Sequence, residues 1–324
     1  IKTSTINGIK RSDANPNVVA DRVYSKLLYG EDHIFSYPTS GTVASVEAIT
    51  IDDLKAFYTK NFSPSISTIH VVGKIDKENV LKTLKGLESD WAAKEVTIPD
   101  YPIVNNRDKS SLYFVDIPDA KQSVINIGNI GMSRTDKDFY PAEVMNYKLG
   151  GSFSGNVNLI LREEKGYTYG ARSGFSGGKI PGTFTASSSV RTNTTGESVS
   201  IFKEEIEKYK EGISEEDLAF TKNALIKSNA RRFETQGSLL GMLQEMSNYN
   251  LDPNYIEKEE DIIRNMTLEQ HKALANRLLD ESKMAYIVVG DAATQFAQFK
   301  LMGFDEVKLI NKEGEESKMD NAKF

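Results

Sequence analysis

The chain has 324 residues, of which 39% are hydrophobic, a formal net charge of −6 at pH 7 and no cysteine. It is long enough to bury two ordinary cores, and the lack of cysteine excludes a disulfide framework and a thiolate metal site. The acidic balance argues against nucleic acid as a partner. The sequence contains no apolar run of about 18 residues, so no transmembrane helix is predicted. Cysteine usage fits both a cytosolic and an exported bacterial protein, so the sequence leaves the compartment open, with the bacterial periplasm favoured over the cytoplasm.

The first third of the chain predicts mainly helices. Apolar residues at helical spacing indicate three of them, over residues 17–29, 51–61 and 77–87. Thr50 and Asp53 form the capping pattern at the start of the second helix. An apolar run at 67–73 predicts a buried strand.

A proline-containing polar stretch divides the chain into two pieces. Residues 95–109 show neither helical nor strand periodicity and predict a linker. The piece before it, 1–94, is predicted to be the C-terminal part of a first domain, and 110–311 to be a nearly complete second domain. The tail, 312–324, is rich in Glu, Lys and Asn and is predicted to be disordered.

The second piece predicts strands first and helices later, with one strand returning near the end. The predicted strands cover 112–117, 124–130, 167–175, 183–190 and 284–290. Thr135 with Asp138 predicts a capped helix that runs through Lys148. One later helix carries its apolar residues on a single face, at Val199, Phe202, Ile206 and Tyr209. Further helices are predicted from Ser214 onward and over 239–249, 255–264, 268–279 and 294–302. This order predicts an α+β fold with a two-layer arrangement of sheet and helices.

An internal repeat links the two pieces. A threonine with a capping partner, an amphipathic helix and an apolar run ending in glycine occur from Thr50 to Gly73, and again at the same spacing from Thr267 to Gly290. A repeat with a domain-sized period predicts two copies of one domain. If the copies are equally complete, roughly a hundred residues of the first copy lie outside this sequence.

The segment LGGSFSGNVNLILREEKGYTYGARS, residues 149–173, carries the strongest motif. A glycine-opened loop leads into a short helix that ends at Arg162. Gly166 follows this helix and precedes a strand that contains Tyr169. The loop fits neither glycine-rich nucleotide-binding pattern, so we interpret its glycines as a tight connection. Taken alone, Arg162 would be a solvated cation at a helix end and Tyr169 a packing residue.

This order of loop, Leu-Arg-Glu, glycine and aromatic strand resembles the later domains of the pitrilysin/insulinase family of zinc metallopeptidases, which includes the mitochondrial processing peptidases. The resemblance implies that Arg162 and Tyr169 face the substrate. A guanidinium can bind peptide carbonyls, and a phenol can donate to the oxyanion of a hydrated carbonyl. Further peptide contacts are implied for Gly150, Gly151, Ser152, Phe153 and Tyr167.

In that family, zinc is held by a His-x-x-Glu-His helix and a further Glu, because two imidazoles four residues apart lie on one helix face. This sequence has no such motif, and its histidines, His33, His70 and His271, are isolated. The helix that would correspond to the zinc helix, around 140–148, offers only Glu143. We therefore predict no metal ligands and no catalytic zinc in this chain, with zinc held by the complete enzyme.

The sequence thus predicts the non-metal-binding, substrate-gripping part of a zinc metalloendopeptidase that hydrolyses extended peptides. Its expected partners are a peptide substrate and a half that carries His-x-x-Glu-His, either fused or as a separate subunit. The chain alone is expected to be inactive. The alternative is a catalytically inactive structural or partner subunit of the same fold, because a fold does not fix an activity.

Overall fold

The computed structural model describes residues 1–317, and its centre is one six-stranded sheet. The strands are β1 (Ser111–Asp116), β2 (Gln122–Ile130), β3 (Thr168–Gly177), β4 (Pro181–Arg191), β5 (Ala285–Gly290) and β6 (Glu306–Ile310). Their order across the sheet is β3-β4-β2-β5-β1-β6. β1 pairs in parallel with β5 and β6, whereas the other pairings are antiparallel. The five predicted strands of the second piece are confirmed, and the late strand β5 lies between β2 and β1.

Helices occur before β1, between β2 and β3, and between β4 and β6. They are α1 (Lys2–Ser12), α2 (Pro16–Tyr29), α3 (Val43–Ala48), α4 (Ile51–Asn61), α5 (Lys77–Asp90), α6 (Phe139–Asn146), α7 (Asn156–Asn158), α8 (Thr195–Tyr209), α9 (Glu215–Ala230), α10 (Gln236–Tyr249), α11 (Tyr255–Asn265), α12 (Leu268–Leu278) and α13 (Ala292–Phe299). Two π-helical turns, Tyr147–Gly151 and Leu159–Glu164, flank α7. The capping boxes predicted before α4 and α12 both form. Over residues 1–317, none of these helices combines the length and apolar character needed to cross a membrane.

One face of the sheet packs against the later helices. The predicted apolar face of α8 is buried, and it joins side chains of α6, α12 and α13 in the main core. Among the largest fully buried residues there are Phe114, Phe184, Phe202, Tyr286 and Phe296. Alternation along β4 places Phe184 and Ala186 in this core, as expected when only one face of a strand is buried there.

The opposite face of the sheet is covered by α2. Val19, Ala20 and Val23 are fully buried against this face. The hydroxyl of Tyr24 donates a hydrogen bond to the carbonyl oxygen of Phe184 at 2.8 Å, and burial raises the pKa of this phenol. A helix of the predicted first piece therefore shares a core with the strands of the predicted second piece.

The predicted strand at 67–73 is wrong. These residues have no regular secondary structure, and the side chains of Ile69 and Val71 remain exposed. A strand needs a neighbour to satisfy its backbone N–H and C=O groups, and no described residue supplies one for this segment. Many other large apolar side chains between Ile49 and Ile103 are also exposed.

Two further predictions need correction. The capping box at Thr135 and Asp138 does not form, because Thr135 Oγ1 pairs with Ser133 Oγ and the helix begins only at Phe139. That helix also ends at Asn146, where the backbone passes into the first π-helical turn.

The C-terminal end of the described chain is ordered where disorder is predicted. Residues 312–317 turn back onto β6, the strand that the sequence does not predict, and the N–H of Ser317 donates to the carbonyl of Leu309 at 3.0 Å. Residues 318–324 of the predicted tail lie outside the described residues.

Candidate functional site

The motif segment folds over the free edge of β3. Asn146, the last residue of α6, donates through Nδ2 to the carbonyl oxygen of Ser173 in β3. Asn158, in α7 of the segment, accepts the backbone N–H of Ala171 in β3. A Cβ added to Gly150 would lie 2.5 Å from the backbone nitrogen of Ser173, so only glycine permits this close approach. Gly150 thus allows the loop backbone to pack directly against β3, which agrees with the interpretation of the loop as a tight connection.

Arg162 and Tyr169 lie close together at the surface. Nη1 of Arg162 donates to the carbonyl oxygen of Tyr169 at 3.0 Å, and its guanidinium carbon lies 4.6 Å from the centre of the Phe153 ring. Nε of Arg162 also pairs with Glu163 at 3.1 Å, but the Arg162 side chain remains 39% exposed. Tyr169 is 90% exposed, so its phenol is available to a ligand. Arg162 is therefore held in place without being buried.

Both residues line a concave surface with a volume of about 730 Å³. Its wall comes from the motif segment, its floor from β2 and β4, and its far side from the start of α2. The predicted site residues that line it are Gly150, Gly151, Ser152, Phe153, Arg162 and Tyr169. The surface is open to solvent and large enough to accept several residues of an extended peptide.

Tyr167 does not join this surface. Its hydroxyl donates to Glu197 at 2.6 Å, which raises the pKa of the phenol, and Arg191 lies over its ring. Lys165 pairs with the same carboxylate. The contacts of Tyr167 therefore fix the start of β3 to α8, and the structure does not bring it together with the other predicted peptide contacts.

Several lining residues are absent from the sequence prediction. Arg172 adds a second cation to the wall, and Asn158 also lines the surface. Asn17 and Asp21 of α2 form the far side, where Asp21 accepts a hydrogen bond from Asn126 at 3.0 Å. Arg172 lies inside the motif and could have been included, whereas no local pattern connects α2 to a motif so far along the chain.

The histidines do not fit a zinc site. His33 stacks on Tyr29 and accepts the N–H of Phe35, while His70 pairs with Ser247. His271 is buried, which lowers its pKa, and its Nε2 lies 3.2 Å from the carbonyl oxygen of Met145. Within residues 1–317, no group of three or more metal-binding side chains could hold an ion.

A cluster of charged residues lies beside Glu143 of α6, the helix that the sequence analysis matches with the zinc helix of the family. Arg134 binds both Glu245 and Glu259, and Arg232 binds Glu259 at 2.6 Å. Burial, followed by the charges of Glu259 and Glu245, raises the pKa of Glu143 to about 7 against the opposing effect of the two arginines. Two arginines balance two carboxylates here, so the cluster is neutral when Glu143 is protonated.

We expect this cluster to make stability fall as the pH rises toward neutrality. The folded state binds the Glu143 proton more tightly than the unfolded state, whose pKa is near 4.5. The resulting stabilisation is present at acidic pH and is lost as the pH rises through about 7. Part of Glu143 is exposed to solvent, which reduces the effect. Urea unfolding of the Glu143→Gln variant at pH 5 and pH 8 should show a smaller pH dependence of the unfolding free energy than the wild type. Glu216→Gln, which lies outside the cluster, should keep the pH dependence of the wild type. If the unfolding free energy of Glu143→Gln changed between pH 5 and pH 8 as much as that of the wild type, Glu143 would not be the source of the pH dependence.

Comparison with known proteins places this chain in a family. The family model described as the peptidase M16 inactive domain matches residues 48–225, more than half of the chain. A Streptomyces coelicolor protein named an uncharacterized zinc protease is 24% identical over 240 residues, which cover 72% of this chain and 52% of that protein. A Helicobacter pylori protein named a non-peptidase homolog is 22% identical over 275 residues, which cover 83% of this chain and 62% of that protein. The chain thus spans only about half to two-thirds of the length of these relatives.

Solved structures agree with this result. A peptidase M16 inactive domain from Pseudomonas fluorescens superposes with a TM-score of 0.81 and 25% identity, covering 90% of this chain and 69% of that chain. A protease from Helicobacter pylori superposes with a TM-score of 0.70 and 16% identity, covering 86% of this chain and 72% of that chain, which supports the fold alone. The predicted α+β fold and the family resemblance are both confirmed. The chain belongs to the M16 peptidase family and carries its inactive domain.

Proposed function

We propose that this chain is the substrate-gripping, non-metal-binding part of a zinc metalloendopeptidase that acts on extended peptides. The observation that carries the proposal is the pairing of Arg162 with Tyr169 on one open concave surface. The complete enzyme would add a half that carries His-x-x-Glu-His, fused to this chain or separate from it. That half would hold the zinc and supply the activated water.

The contacts of Arg162 suit it to hold a peptide. Its bond to Tyr169 and its stacking on Phe153 restrict the guanidinium before a ligand arrives, which lowers the entropy lost on binding. A guanidinium has five N–H donors, so Arg162 retains donors for peptide carbonyl oxygens beyond those that it uses internally. Tyr169 adds an exposed phenol that could donate to developing negative charge on a carbonyl oxygen.

Peptide binding tests this proposal directly. We expect the chain to bind extended fluorescent peptides, as measured by anisotropy, and Arg162→Ala to weaken that binding by roughly tenfold, which corresponds to about 1.4 kcal/mol. Arg264→Ala is the matched control, because Arg264 is also an exposed helical arginine with an acidic neighbour and lies outside the concave surface. Absence of peptide binding by the wild-type chain, or equal binding by Arg162→Ala, would contradict the proposal.

A second candidate function is a catalytically inactive partner or structural subunit. The Helicobacter pylori relative named a non-peptidase homolog favours it. The fold is also similar to a chain of the Candida albicans complex III2, with a TM-score of 0.69 and 15% identity. Co-expression with a His-x-x-Glu-His half distinguishes the two functions: peptidase activity that requires Tyr169 supports the first, and assembly in which Tyr169 has no effect on activity supports the second.

A further inference from the structure

We infer that Asn158 is the positioning residue of the Arg162–Tyr169 site. It holds the glycine-opened loop and β3 at the separation that lets Arg162 contact both. This inference rests on the proposed peptide-binding function and adds to it the residue that fixes the geometry of the site.

Asn158 is buried, with 2% of its surface exposed, and uses both ends of its amide. Nδ2 donates to the carbonyl oxygen of Phe153 in the loop at 2.7 Å. Oδ1 accepts the backbone N–H of Ala171 in β3 at 3.0 Å. One side chain therefore joins the two backbone segments that carry the exposed parts of the site.

These two bonds close a ring of contacts around the site. From Phe153 the ring passes through its aromatic contact with Arg162, then through the bond from Arg162 to the Tyr169 carbonyl. It returns along two residues of β3 to Ala171 and through Asn158 to Phe153. Loss of either Asn158 hydrogen bond would allow the loop to move away from β3. Arg162 would then lose its contact with either Phe153 or Tyr169.

Regular backbone pairing with β4 does not extend to Tyr169, although Ser188 Oγ of β4 donates to the carbonyl oxygen of the neighbouring Gly170 at 2.9 Å. The pairing of β3 with β4 shifts register between Thr168 and Ala171, so Tyr169 lies in an irregular part of the strand. Regular pairing resumes at Ala171, which pairs with Ser188. Because Asn158 binds the N–H of Ala171 on the outer edge of β3, it fixes the end of the irregular segment that carries Tyr169.

Asn146 provides a matched comparison. It is also buried, with 3% of its surface exposed, and it also binds β3. However, its Nδ2 and Oδ1 are both hydrogen-bonded to Ser173, at 2.8 Å and 2.6 Å, so neither hydrogen bond joins β3 to the loop. An Asn→Asp change at either position removes one buried donor, so both should lower stability, but only the change at Asn158 should disturb the site.

The test compares Asn158→Asp with Asn146→Asp for peptide affinity, measured by anisotropy well below the melting temperature of each variant. We expect Asn158→Asp to weaken peptide binding by roughly tenfold or more, because the new carboxylate cannot donate to Phe153 and the loop shifts. Asn146→Asp should lower the melting temperature and leave the affinity close to that of the wild type. Equal affinity in Asn158→Asp and the wild type, or an equal loss in both variants, would overturn the inference.

Hydrogen exchange of the wild-type chain provides a measurement that needs no variant. The Ala171 amide should be protected, although it lies on the free edge of β3, because it donates to buried Asn158. Rapid exchange of this amide would overturn the inference even if Asn158→Asp fails to fold. If the wild-type chain binds no peptide, the proposed function fails as well, whereas normal binding by both the wild type and Asn158→Asp removes only the role of Asn158.

Discussion

The Gly128→Ala variant is expected to lose most of its folded population at moderate temperature. Gly128 lies in β2 opposite Thr185 of β4, and a Cβ there would overlap the carbonyl oxygen of Phe184 and the phenol oxygen of Tyr24. The hydrogen bond between those two oxygens connects α2 to the sheet, so relief of the overlap must break it or separate two central strands. Overpacking typically costs about 1–3 kcal/mol, and we expect a value at or above the upper limit because two rigid groups are involved.

Thermal unfolding monitored by circular dichroism measures this effect. The melting temperature should fall by roughly 2–4 °C for each kcal/mol lost. Gly174→Ala is the control, because Gly174 lies in β3 of the same sheet and an added Cβ there would meet no atom within 4 Å. Equal melting temperatures for Gly128→Ala and Gly174→Ala would show that α2 and β4 do not approach β2 as closely as described.

Tyr169→Phe is expected to lower kcat of the complete peptidase by roughly ten- to a thousandfold, the range for the loss of one oxyanion donor. The side chain is 90% exposed, and its hydroxyl makes no bond that stabilises the described chain. The melting temperature should therefore change little. KM should also change less than kcat, because the proposed bond strengthens as charge develops on the carbonyl oxygen.

Steady-state kinetics of this chain combined with the proposed His-x-x-Glu-His half tests this prediction. Tyr249→Phe, at a half-buried position on α10, is the control for loss of a phenol elsewhere. Normal kcat in Tyr169→Phe would leave the exposed phenol without a catalytic role. The peptide affinity of Arg162→Ala would then determine whether the concave surface binds substrate at all.

Local patterns predict much of this fold because local energetics determine them. The face of α8 follows from apolar spacing, and the two capping boxes follow from a hydroxyl and an acceptor three residues apart. The prediction fails where the outcome depends on distant partners. The run at 67–73 has strand composition but no neighbouring strand, and β6 is recognised as a strand only once β1 lies beside it.

The candidate site divides in the same way. The motif groups Arg162, Tyr169 and the glycine loop because they are close in sequence, and the structure brings them onto one concave surface. The motif also includes Tyr167, and only the folded structure shows that its hydroxyl binds Glu197 on α8. Asp21 could not be predicted, because the packing of α2 on the far face of the sheet brings it to the site.

The central position of β5 also constrains how the chain can fold during synthesis. Its register joins Ser111 to Ala285, so the middle of the sheet stays incomplete until nearly the whole described chain has left the ribosome. Until then the inner edges of β1 and β2 lack their shared partner, and α2 lacks much of the surface that buries it. Closing such long loops makes folding slow. The edges of β1 and β2 that β5 covers therefore stay unpaired in the nascent chain until β5 is made, and we expect truncation before β5 to abolish the native structure.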